Sequence, residues 1–254
     1  MIRNTIIALF TLAMLFAQSD FEQGVTWYNN RAEGHQANRA QAAAITKAIG
    51  FFEKAYANPD TKRDAGLYLL KCHYYRGKFA HTDDDKKKEE FNAGTDLGRE
   101  LMKAYPDDVA IRYWYLVNLG SWAEVYGILA AAKEGVADQM REHSEFIIAK
   151  DPAYNDGAGY FMLGAVHFKT PYIPFLLSWP DNDDALANME KAVNTGLATP
   201  TQKVYLAQIV RKKGDKKKSI EILKEVIATP PRDEFIVEDL DEIQKAKSLL
   251  EDWS

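Results

Sequence analysis

Residues 204–231, VYLAQIVRKKGDKKKSIEILKEVIATPP, decide the fold. Val204, Ala207 and Val210 recur at a spacing of three, and Ser219-Ile220, Leu223 and Ile227 at spacings of three and four. Such spacing lays each set along one face of a helix, and nothing in the stretch alternates with the period of two that a strand needs. Between the two sets stands Gly214-Asp215, which makes the turn from one helix to the next. Pro230-Pro231 then stops the second helix, because proline offers no backbone donor and pushes the residue before it out of the helical region. The stretch reads as two antiparallel helices, with the small residues Ala207 and Ser219 letting them approach closely.

The same grammar extends through nearly every segment after about residue 35. Ile45, Ile49, Phe52 and Tyr56 form one stripe, and Ala65, Tyr68, Leu69 and Cys72 another. Phe91, Gly94, Leu97, Leu101 and Tyr105 follow, then Val109, Tyr113, Leu116 and Val117; Leu186, Met189 and Val193 and finally Leu240, Ile243 and Leu250 continue the pattern. Helix stops at Pro59, Pro106, Pro152, Pro200 and Pro230 recur at intervals of 46 to 48 residues and then 30. A regular period of that size is the mark of an array of helix pairs. The quoted stretch has nearly the spacing of a tetratricopeptide repeat, so the expected fold class is all-α: a tetratricopeptide-like array of antiparallel helix pairs, an α-solenoid. Four or five pairs account for residues 20–254 as a single domain, and Phe235 to Trp253 serves as a capping helix over the open end. The long period is assigned to insertions between helices. One is the charged stretch Thr82 to Lys88, which separates a helix ending near Arg76-Gly77 from one starting near Glu89; the other is the apolar stretch Pro171 to Pro180.

The N-terminus reads as a signal peptide, residues 1–19. Met1-Ile2-Arg3-Asn4 is a short basic start, Thr5 to Phe16 is apolar, and Ala17-Gln18-Ser19 places small residues where a signal peptidase reads them. The apolar run is shorter than the about 20 residues of a membrane span, so no span is expected in the mature form. Export, to a periplasm, is the expected localisation. Cys72 is the only cysteine, which excludes an internal disulfide and a multi-cysteine zinc site; its place on an apolar stripe predicts a buried core residue. A formal charge of -5 provides no general field for DNA or RNA, and nucleic acid is not an expected partner.

Further likeness lies in the middle of the chain. The stretch Arg112 to Trp122, RYWYLVNLGSW, resembles the aromatic helix of the periplasmic T components of TRAP transporters, which ends in a Gly-x-Trp step. Asn155-Asp156-Gly157-Ala158-Gly159-Tyr160, the Pro-rich loop after it and Asp184 to Ala192 resemble the third helix pair of that family, and the likeness covers roughly residues 107–198. Two features depart from the family: Trp179-Pro180-Asp181-Asn182-Asp183 replaces a Gly-Gly-Asp lead-in, and no lipoprotein cysteine stands near the cleavage point. The resemblance implies a protein partner, such as a periplasmic solute-binding protein, and a small hydrophobic ligand held without chemistry.

No catalytic motif competes with that reading. H-E-x-x-H, G-x-S-x-G, a P-loop and G-x-G-x-x-G are all absent. The five histidines have no metal spacing, and His143 and His167 are expected to be buried and hydrogen-bonded rather than ligands. Asp181 to Asp184 reads as a helix N-cap, and the basic run around Gly214-Asp215 as a solvated corner. The protein is expected to be no enzyme and to need no cofactor or metal. What remains is recognition. Trp114, Tyr115, Asn118, Trp122 and Tyr160, with Tyr172, Phe175 and Trp179 of the apolar loop, are the candidate ligand-binding residues, with Asn118 and Tyr160 as polar handles. The loop either seals the gap in the array or borders a pocket, and both can hold together.

Overall fold

A computed structural model describes residues 19–172 and 177–253. Its α-helices are α1 (Asp20–Asn29), α2 (Ala42–Tyr56), α3 (Lys62–Tyr75), α4 (Asp84–Ala104), α5 (Val109–Tyr126) and α6 (Ile128–Lys133). They continue as α7 (Val136–Lys150), α8 (Tyr154–Lys169), α9 (Asn182–Thr195), α10 (Pro200–Lys212), α11 (Lys216–Ala228) and α12 (Ile236–Asp252). No strand runs among the described residues. Each helix packs on the next, so the chain stacks as the pairs α1/α2, α3/α4, α5/α7, α8/α9 and α10/α11, with α12 last. The expected all-α solenoid of helix pairs is the observed fold.

The quoted stretch forms α10 and α11 as read. Thr199 caps α10 in a reciprocal box with Gln202, Gly214 turns the chain at φ 101°, and the Asp215 side chain accepts from the Lys218 backbone N–H. Val204, Ala207, Ser219 and Leu223 are fully buried between the two helices. The tightest approach is between α8 and α9: a Cβ on Gly164 would stand 3.1 Å from the Ala185 carbonyl oxygen, and Ala185, Met189 and Ala192 are inaccessible to solvent. Burying a residue such as Phe52, also inaccessible, contributes on the order of 2–3 kcal/mol, so such pairs carry the stability of a disulfide-free chain. Cys72 is buried and unpaired, as its stripe predicted, and burial pushes its thiol pKa up.

Three features differ from expectation. Helical structure begins already at Asp20, where Ser19 closes a capping box with Glu22; the short α1 lacks the long apolar stripe by which the others announce themselves. The other eighteen residues of the expected signal peptide lie outside the described residues. Next, the charged stretch is not a long loop. α3 widens into a π-helical turn over Arg76–Ala80, and α4 starts at Asp84 under the Asp83 cap. Asp84–Lys87 and Asp85–Lys88 pair one turn apart, and carboxylates in the first turn suit the helix dipole. The long period there comes from a 21-residue helix. Finally, α12 does more than cap. Ile243 and Ala246 sit in one core with Val204, Ala207 and Leu223, while Val237 sits in another with Tyr75, Phe79 and Ile45 of the N-terminal units. One helix therefore joins the two ends of the array.

Candidate functional site

The closure is held by Arg31, in the turn after α1. Its guanidinium is 2% exposed and is surrounded by the rings of Tyr28, Tyr75 and Phe235, with its carbon 4.7, 5.2 and 5.6 Å from their centroids. It donates to the Glu238 carboxylate at 2.9 Å and to the Glu234 carbonyl at 2.6 Å. Asn38 donates to Asp241 at 2.7 Å one turn further along α12. A charge this deeply buried is tolerated because cation–π faces and charge-assisted hydrogen bonds replace its water.

With the ends joined, α3, α5, α8, α10 and α12 present side chains to one inner wall. Trp114 packs against Tyr74 and Tyr113 at centroid distances of 5.9 and 5.5 Å, and the Lys71 ammonium lies 5.7 Å above the Trp114 ring. Burial lowers the Lys71 pKa and pushes that of Tyr113 up to about 12. A second aromatic sector surrounds Tyr205, with Phe161 at 5.3 Å and Phe168 at 6.4 Å. The ammonium groups of Lys169 and Lys245 stand 5.3 and 5.0 Å from the Tyr205 ring. Between the sectors, Lys78 bridges Glu124 at 3.1 Å, and Lys245 lies 3.6 Å from Glu242. Glu124 and Glu242 act electrostatically on both Tyr74 and Tyr205, which ties the two sectors into one wall.

Electrostatics of the wall are mixed. Burial would raise the Glu124 carboxyl, but Lys78, Lys245 and Lys169 hold it below its ordinary range. Its side chain is still 54% exposed, so it meets solvent on one side and protein on the others. Lys169 is lowered by burial and then by the neighbouring Lys245, and it has no carboxylate in salt-bridge contact among the described residues. At the edge of the wall a cleft of about 320 Å³ opens between the π turn, α4, the end of α5 and Asp241. Its lining alternates in sign: Arg39, Lys78 and Lys87 against Asp84, Glu124 and Asp241.

The structure separates the candidates named from sequence. Trp114 lies on the inner wall. Tyr115 faces the other way, buried, with its hydroxyl donating to Gln139 at 2.7 Å. Asn118 is fully buried, and its amide donates to the Leu70 and Trp114 carbonyls at 3.0 and 2.9 Å, so it locks α5 to α3. Trp122 stacks on Tyr126 at 4.3 Å and donates to Asn92 of α4. Tyr160 is half-buried under Lys191 of α9. Trp179 donates to Asp138 at 2.9 Å, packs edge-on to His167 and lies under Arg141, so this end of the apolar loop covers α7 and α8. Tyr172 is 62% exposed, and Phe175 lies outside the described residues. Of the eight, Trp114 alone is placed with Tyr74, Tyr205 and the lysines, which sequence reading missed. Those residues stand on five helices far apart in the chain, and no spacing links them.

The other polar readings hold, with one adjustment. Asp181 caps α9, accepting from the Asp183 and Asp184 backbone N–H groups. His167 accepts from the Asp181 N–H, and His143 shares a 2.7 Å contact with Arg112. Both rings are half-buried rather than buried, because each lies at the edge of its helix pair. The lysines around Gly214 are solvent-exposed. No helix among the described residues is long and apolar enough to cross a membrane.

No family model and no curated protein matches the chain. Among solved structures, the crystal structure of a thermophilic TPR protein from Thermus thermophilus is similar, with a TM-score of 0.62 at 16% identity. The match covers 91% of this chain and 97% of that one. At that identity the likeness concerns the fold, and the fold it shares is the tetratricopeptide-like array of helix pairs.

Proposed function

We propose that the protein is an exported, non-catalytic binding module that holds a small ligand against its inner wall and works beside a TRAP-type solute transporter. The observation that carries the ligand reading is the docking of α12 on the N-terminal units, beside which the rings of Trp114, Tyr74 and Tyr205 and the ammonium groups of Lys169 and Lys245 gather on one wall. Trp114, Tyr74 and Tyr205 offer ring faces for an apolar body there, and Lys169 offers an ammonium that lacks a carboxylate contact. Apolar surface with a few placed polar groups is the usual make-up of a small-molecule site. The transporter association rests on the aromatic stretch Arg112 to Trp122 and the Asn155 to Tyr160 motif, and export on the order of basic, apolar and small residues in 1–19. A protein partner, in the form of a periplasmic solute-binding protein, belongs to the same proposal. The competing reading is a general envelope scaffold for extended peptides. It needs a groove with open ends, and the contacts of Arg31 and Asn38 with α12 join those ends.

Native mass spectrometry of the protein recovered from a periplasm tests both parts. The expected result is a mature mass beginning at Asp20 and a retained small molecule that is lost when Trp114 is changed to Ala. A bare mass that shifts only on adding a partner protein overturns the ligand reading and favours the scaffold. An intact N-terminus overturns export.

A further inference from the structure

A second cleft shares no lining residue with the inner wall. It is a shallow, open depression of about 370 Å³ between α4 and α7, with α5 as its floor. Its polar lining is Arg99 and Lys103 from α4, Arg112 and Tyr115 from α5, and Gln139 and His143 from α7. Three permanent cations border it, and no carboxylate does.

The counter-ions do not balance. Arg99 pairs with Asp96 at 3.0 Å on the exposed surface. Lys103 has no ion-pair partner among the described residues. Arg112 lies over the Phe146 ring, 3.8 Å from its centroid, and donates to the Pro106 carbonyl and to His143 Nδ1, both at 2.7 Å. Neither contact carries negative charge, and the Arg112 Nε is buried with no hydrogen-bond partner among the described residues. Glu142 and Asp107 act on Arg112 only from a distance, and Asp107 is bonded to Lys150 at 2.8 Å. His143 cannot take the place of an anion. Accepting at Nδ1 leaves its proton on Nε2, so the neutral ring is one more donor at the cleft. Tyr115 is fixed by its bond to Gln139, which keeps the floor rigid.

The half-buried Arg112 guanidinium and the exposed Lys103 ammonium therefore face one cleft with no carboxylate on either, and half-buried guanidinium groups are normally paired. We infer that this cleft is an oxyanion site whose ligand is a dianionic phosphate group, bound between Arg112 and Lys103 with Arg99 at its rim. A dianion can meet both cations at once, and a planar guanidinium suits phosphate oxygens. The phosphate comes either from the free ion or from a phosphate monoester, which share this chemistry. The inference stands apart from the reading of the inner wall and from any transporter.

Isothermal titration of the full chain at pH 8 and constant ionic strength tests it, with inorganic phosphate and glycerol 3-phosphate as probes and chloride and acetate as controls. Saturable binding of either phosphate, with none from the controls, is the expected result. The tighter of the two probes identifies the source. Lys103→Gln, at an exposed position where folding is unaffected, is expected to weaken binding about tenfold, the worth of one charge-assisted hydrogen bond. Arg99→Gln gives a second exposed variant with a smaller loss. Absence of saturable phosphate binding, or affinity unchanged in both variants, overturns the inference.

Discussion

Asn155, Asp156 and Gly157 adopt φ values of 45°, 58° and 78°, three successive left-handed residues at the start of α8. Side chains other than glycine visit this region at a cost, and the surrounding contacts show what holds them there. The Asp156 carboxylate accepts from the Leu197 N–H at 2.9 Å, and its carbonyl accepts from the Gln202 side chain at 2.8 Å. The turn thus ties α8 to the loop after α9 and to the first turn of α10. Gly157 has no room for a side chain: a Cβ would stand 2.9 Å from Thr195 Cβ and 3.1 Å from Ala192 Cα. Gly157→Ala is expected to destabilise the protein by about 2–4 kcal/mol, the sum of a left-handed alanine and a crowded contact. Chemical denaturation measures it, and a loss below about 1 kcal/mol would show that the turn relaxes. The sequence made Asn155 to Tyr160 visible as a motif; its left-handed geometry and its partners across the pair were not legible.

Among the helices, the junction between α3 and α4 shows why a charged stretch can be misread as a loop. The π turn over Arg76–Ala80 shifts the helix register, and beneath it the buried Glu90 of α4 meets His73 at 2.9 Å, Arg76 at 2.7 Å and His81 at 3.4 Å. Burial would raise the Glu90 carboxyl, yet the hydrogen bonds from His73 and Arg76 hold it below its ordinary 4.5. A carboxyl depressed in the folded state adds stability above its unfolded pKa, and that stability is lost as pH falls through the folded value. The protein is therefore expected to lose stability on acidification below about pH 4.5, through Glu90 among other carboxylates. Glu90→Gln is expected to cost roughly 1.5–3 kcal/mol at neutral pH and to flatten that acid limb. Thermal melts of both proteins between pH 3 and 7 check it, and parallel pH profiles would refute the assignment. Local spacing displayed α4 as an amphipathic helix; the partners of Glu90 come from other segments and had no local signature.

Across the array as a whole, the decisive contact is Arg31 with α12. Replacing Arg31 by Ala removes a buried cation, leaves the Glu238 carboxylate largely enclosed, and loses the bond to the Glu234 carbonyl. Breaking a buried pair from one side costs about 3 kcal/mol or more. Because the C-terminal half of α12 stays packed on α10 and α11, the loss is expected to be uneven along the helix. Hydrogen exchange should quicken over residues 234–241 while residues 243–250 keep most of their protection. Equal loss along the whole helix would mean that α12 docks as one body and that Arg31 is not its separate anchor.

The all-α class, the helix pairs, most of the breaks between them and the cap at Asp181 were legible in the order of residues, whereas Thr199-Pro200, read as a helix stop, is the cap and first residue of α10. Those features rest on contacts within a few residues, and apolar spacing, glycine and proline report such contacts directly. Trp114 was marked as a candidate in the same way. Only the folded chain reveals that the array closes on itself, that Asn118 and Trp179 serve packing, and that Trp114 shares a wall with Tyr74, Tyr205, Lys78, Lys169 and Lys245. Distance along the chain separates the two groups of features. Closure depends on Arg31 meeting Glu238, a pairing 207 residues apart. A helical period records which face of each helix is apolar, and it carries no record of which distant helix that face will meet.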